Sequence, residues 1–111
     1  MNITPYFNNQ AYIVATAAQI KKDFEFSGLT FQFSNDPAHC YNELLYQISP
    51  LIADLIDKKF DKLLNLLYRI DIPENKISDL MTSNAFGSLP EAIADLVIRR
   101  ELLKVVIRRN C

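Results

Sequence analysis

Asp95-Leu-Val-Ile-Arg-Arg-Glu-Leu-Leu-Lys-Val-Val-Ile-Arg-Arg109 sets two arginine pairs and a lysine among branched aliphatics. It is either a basic helix for a polyanion or a core helix that carries charges inward, and the fold turns on which. At about 100° per residue, Ile98, Leu102, Val105 and Val106 cover one side of the cylinder, and Ile93, Leu96, Leu103 and Ile107 cover another. Glu101, Lys104 and Arg108 make the one clean polar strip, while Arg99 projects between the apolar flanks with Asp95 a turn before it. A helix that reads nucleic acid gathers its cations on one solvated face; these are scattered. The pattern predicts a helix buried on two sides, hence the centre of a bundle or the seam of a dimer.

A charge between apolar surfaces costs on the order of several kcal/mol unless it is paired. Arg99 is therefore expected either to form a buried pair with Asp95 or Asp71, or to sit at a helix edge within reach of water. Lys104, Arg108 and Arg109 have a simpler role, since cations in the last turns of a helix complement its dipole.

Two segments upstream share one design. Ser88-Leu-Pro-Glu91 and Asp71-Ile-Pro-Glu74 each place a capping residue three positions before a Glu, with Pro inside the first turn. That is a capping box, and it predicts helices near 89–109 and 72–82 with a loop at 82–87. From Pro50 to Asp71 the apolar residues Ile52, Leu55, Ile56, Leu63, Leu66 and Ile70 fill one arc, with Lys59 inside it, and charged residues fill the other. Asp36-Pro37 signals another helix start, followed by the stripe Tyr41, Leu44, Leu45 and Ile48, which Ser49-Pro50 is expected to break or kink. Ile13, Ala17, Ile20 and Phe24 recur at helical spacing over 10–24, and residues 1–8 read as an irregular arm.

Between the first two helices, Phe24, Phe26, Phe31 and Phe33 alternate with polar residues around Ser27-Gly28. Period two about a two-residue turn signal predicts a small β-hairpin. It is read as a cap on the core or as an aromatic surface for a partner or an apolar ligand.

The bulk properties narrow the function. With 111 residues, a single domain over 1–111 is expected. The formal net charge of −1 sets up no overall field toward nucleic acid or an anionic membrane. The charge is uneven: residues 1–98 hold 7 basic and 12 acidic side chains, and residues 99–111 hold 5 basic and 1 acidic. Cys40 and Cys111 make no disulfide framework, which points to a reducing cytoplasm. Neither a secretory leader nor a membrane-length apolar run is read in the sequence.

Catalytic signatures are absent from the sequence. His39, the single histidine, has Glu43 at i+4 and Cys40 beside it, but metal sites need three or four ligands at recognisable spacings. Adjacent helical residues point about 100° apart, so His39 and Cys40 make no nucleophile–base pair. Two glycines cannot build a phosphate-binding loop. No enzyme activity, cofactor or metal is expected.

"LLYRIDIPENKI" (residues 66–77) followed by "IADLVIRRELLKVVIRR" (residues 93–109) resembles small uncharacterised helical proteins of bacteria, over roughly residues 63–109. The resemblance implies a helical fold and no activity.

The expected architecture is mainly α: a helical bundle of four longer helices plus one short helix, with the small β-hairpin after the first. The favoured function is a protein-interaction or structural role as a homodimer, because a lone chain would have difficulty covering both flanks of the last helix. The candidate interface comprises Phe24, Phe26, Phe31, Phe33, Ile98, Leu102, Val105 and Val106. The alternatives are a small nucleic-acid-binding regulator using the C-terminal basic helix and an apolar-ligand binder under the Phe-rich hairpin. The six-residue loop 82–87 exceeds the usual helix-turn-helix spacing.

Overall fold

A computed structural model describes residues 2–29, 38–82 and 88–110. A 3-10 turn at Thr4–Tyr6 precedes five α-helices: α1 Gln10–Phe26, α2 Tyr41–Lys58, α3 Phe60–Arg69, α4 Glu74–Thr82 and α5 Leu89–Asn110. Among the described residues there is no strand, and no helix is long and apolar enough to cross a membrane. The arginine-bearing helix α5 lies at the centre. α2 and α1 make the largest contacts with it, and α4 a smaller one.

The expected hairpin is corrected. α1 continues through Phe26, so the first half of the hairpin is the last turn of a helix. Gly28 (φ 77) then takes the left-handed conformation. Leu29 N–H donates to the Phe24 carbonyl at 2.9 Å and Gly28 N–H to the Glu25 carbonyl at 3.1 Å. This is a Schellman cap, and Leu29 and Phe24 both join the core behind it. Two residues turn a helix by about 200°, so Phe24 inward and Phe26 outward mimic a strand. Phe31 and Phe33 lie outside the described residues, as do Asp36 and Pro37.

The C-terminus of α3 repeats this cap with a different residue. Asp71 sits at φ 66, its N–H donates to the Tyr68 carbonyl, and Ile72 N–H donates to the Leu67 carbonyl at 3.0 Å. Asp71 therefore closes α3, whereas its spacing from Glu74 predicts that it opens α4. The other N-cap forms where expected, with Glu91 N–H donating to Ser88 Oγ at 3.3 Å.

α2 runs through Pro50. The ring removes an N–H from the helix ladder, and nearby Ser49 Oγ donates to the Leu45 carbonyl at 2.7 Å. The interruption comes instead at Lys59, whose φ −144 and ψ 53 separate α2 from α3. Lys59 is exposed there.

The core is one cluster. Ile13, Ile20 and Phe24 of α1 meet Leu44, Ile48 and Ile52 of α2, Leu63 and Leu66 of α3, and Val97 and Ile98 of α5. The N-terminal arm is lashed to it. Tyr41 N–H donates to the Phe7 carbonyl at 2.7 Å, and the Phe7 and Tyr41 rings stack with centroids 4.5 Å apart.

Candidate functional site

The two apolar flanks of α5 meet different fates. Ile98, Leu102, Val105 and Val106, four of the residues expected at an interface, are buried within the single chain. Of the Phe residues in that set, Phe24 is buried. Phe26 is 62% exposed, with the Arg69 guanidinium 4.4 Å from its ring centroid. The other flank of α5 emerges gradually. Ile93 is buried, Leu96 and Leu103 are half-buried, and Ile107 is exposed.

A cleft of about 380 Å³ opens along that second flank. Its floor is apolar, with Leu96 and Leu103 from α5, Ile72 from the α3–α4 turn and Ile3 from the N-terminal arm; Lys76, Arg99, Arg100 and the acidic Asp71 also line it. Each arginine is already oriented. Arg99 Nε–H donates to Asp95 Oδ1 at 2.8 Å, and its guanidinium lies 5.0 Å from the Phe7 centroid and 5.5 Å from that of Tyr41. Arg100 Nε–H donates to the Ile70 carbonyl at 3.3 Å, which satisfies a carbonyl at the end of α3. Its Nη2 is 3.7 Å from Asp71, and Lys104 Nζ is 3.9 Å from the same carboxylate.

The expected Arg99–Asp95 pair therefore forms, but Arg99 is 45% exposed and stands at a helix edge. Asp71 serves Arg100 and Lys104 instead.

The buried charge is elsewhere. Glu101, part of the polar strip in the helical projection, has a side chain that is 0% exposed. Neither of its oxygens has a hydrogen-bond partner among the described residues. Lys104 Nζ stands 3.4 Å from Oε1, close enough to attract it but without hydrogen-bond geometry. Burial, then the Asp23 carboxyl beside it on α1, push the Glu101 carboxyl up to about 8, against the pull of Lys104. A shift in that direction favours the neutral, protonated form of the carboxyl inside the fold. Asp23 is held in turn by the Gln19 amide, which donates at 3.3 Å, and by Arg69 Nε at 3.9 Å. The juxtaposition of Asp23 and Glu101 joins positions far apart in the chain, so no local spacing in the sequence announces it.

His39 lies at the surface with Nδ1 3.4 Å from Glu43. The same Glu43 accepts the His39 backbone N–H at 2.7 Å, a helix-start contact. Among the described residues no three His, Cys, Asp or Glu side chains gather as a metal site would require. Comparison with protein-family models, curated proteins and solved structures finds no match to this chain.

Proposed function

We propose that the protein is a small interaction module of the cytoplasm that docks a segment of another protein on the open flank of α5. The observation that carries this reading is the half-covered stripe of Leu96, Leu103 and Ile107 beside a cleft with oriented cations. An apolar surface next to placed polar groups is what recognition sites offer.

One chain buries the first flank of α5 by itself, so a homodimer formed through α5 would have to use the second. A two-fold interface there would bring the Lys76, Arg99 and Arg100 groups of two copies near one another, which disfavours self-association. The nucleic-acid reading is weakened because Asp95 and Asp71 stand beside Arg99, Arg100 and Lys104. The apolar-ligand reading loses the first half of its aromatic roof to α1.

Light scattering at micromolar concentration is expected to give the mass of one chain. Immobilised protein is expected to retain a partner that the Leu103→Asp variant, with an unchanged circular dichroism spectrum, does not retain. An identical set of captured proteins for both forms would remove the reading. Salt-dependent retention on a nucleic-acid column would replace it with the regulator.

A further inference from the structure

We infer that the cleft between the α3–α4 turn and α5 takes a short, acidic and apolar peptide segment, its carboxylates meeting Arg99, Arg100 and Lys76 and its aliphatic side chains meeting Leu96 and Leu103. The inference rests on the reading of the chain as an interaction module and names the chemistry of its partner.

Three features of the cleft select that chemistry. The first is size. About 380 Å³ lies at the low end of the range for ligand pockets, roughly 300–1,000 Å³, so the cleft admits a few side chains. The second is the floor. Leu96 and Leu103 of α5 meet Ile72 of the α3–α4 turn and Ile3 of the N-terminal arm there, leaving apolar area that only an apolar group would cover favourably.

The third is the state of the cations. A guanidinium carries five N–H donors in a fixed fork. Among the described residues, Arg99 uses its Nε–H on Asp95 and Arg100 uses its Nε–H on the Ile70 carbonyl. The bond to Asp95 and the rings of Phe7 and Tyr41 hold the Arg99 fork in place. A carboxylate arriving at such a fork finds donors whose ordering cost has already been met. Lys76, also at the cleft, makes no ion pair among the described residues.

The charge balance also limits the partner. Lys76, Arg99 and Arg100 share the cleft with Asp71, and Asp95 stands behind Arg99, leaving a modest positive surplus. A peptide with one or two carboxylates matches it. A phosphate backbone does not, because it would run past two aspartates and leave the apolar floor uncovered.

The test is selection of random peptides of about a dozen residues, a length typical of groove-binding segments, displayed against the intact chain. Enriched peptides are expected to combine Asp or Glu with Leu, Ile or Phe. Their affinity is expected to fall about tenfold or more in Leu103→Asp, the loss characteristic of an interface anchor, to fall in Lys76→Glu, and to weaken with added salt. Lys76 is exposed, so its variant keeps the test valid if Leu103→Asp fails to fold. Enrichment of neutral or basic apolar peptides that still need Leu103 would overturn the acidic assignment and leave the interaction module standing. No enrichment, or enrichment indifferent to both substitutions, would overturn both. Association of the chain with itself that Leu103→Asp abolishes would give the cleft to a second copy and overturn the inference.

Discussion

Glu101 and Arg99 stand two residues apart on the same helix and solve the problem of charge in opposite ways. On the inner side of α5, beside Asp23 of α1, Glu101 is 0% exposed and burial favours its protonated form. On the open side Arg99 keeps both its charge and its contact with water, leaning on Asp95 and two aromatic rings. The difference lies in the neighbours. Desolvation acts against whichever ionised group is enclosed, and a carboxyl can relieve it by taking a proton. A guanidinium has no such escape, since it stays charged at any ordinary pH, so Arg99 belongs where it is half-exposed.

The largest expected effect tests the inner side. The Glu101 carboxyl sits at about 8 in the fold, against an ordinary 4.5. Below about 4.5 it is protonated in both the folded and unfolded states. Between about 4.5 and 8 the unfolded chain gives up a proton that the folded chain holds, so stability falls as pH rises. The fall approaches about 1.4 kcal/mol per pH unit and totals several kcal/mol before levelling off above about 8. Urea unfolding at a series of pH values reads that slope. Glu101→Gln, similar in shape and without a titrating proton, is expected to flatten it, and an unchanged slope in the variant would sink the assignment.

A smaller effect sharpens the contrast between the flanks. Leu102→Ala on the inner side is expected to cost about 3 kcal/mol, as for other enclosed leucines. Leu103→Ala, one position on and half-buried, is expected to cost about 1 kcal/mol, in proportion to the area it hides. Equal losses would mean that the second flank is as closed as the first.

The smallest effect is reserved for the residue that looks most constrained in the sequence. Arg99→Ala is expected to cost less than about 1 kcal/mol in thermal or urea unfolding, because its ion pair is half-exposed and its stacking on Phe7 and Tyr41 is modest. A loss of several kcal/mol would restore the buried pair read from the helical projection.

The legible parts of the fold are those in which neighbouring residues carry the information. Ser88 through Glu91 announces the start of α5, and of the two apolar flanks read on that helix the one with Ile98, Leu102, Val105 and Val106 is buried by the chain, while the other is only partly covered. Gly28 misleads because a left-handed glycine serves a hairpin turn and a helix cap equally well, and two phenylalanines are too few to tell period two from 3.6. Ser49-Pro50 suggests a break that α2 carries through. Lys59 makes the real break without any Gly, Pro or capping residue, so nothing local marks it. Asp71 resembles an N-cap because aspartate suits both N-caps and left-handed positions. Of the candidate site, the basic residues are visible in the sequence but their disposition is not. Whether Arg99 or Glu101 is enclosed depends on Asp23 and α1, more than seventy positions away, and a single-helix projection contains no such neighbour.

The retained proton has a calorimetric consequence. Melting this protein near neutrality would release about one hydrogen ion to the medium, since the carboxyl at about 8 in the fold returns to an ordinary acid when water reaches it. The heat absorbed would then include the buffer's own heat of protonation. Scans in phosphate and in Tris, matched in pH, should differ in apparent enthalpy by close to the difference between those two buffers, and Glu101→Gln should erase the discrepancy.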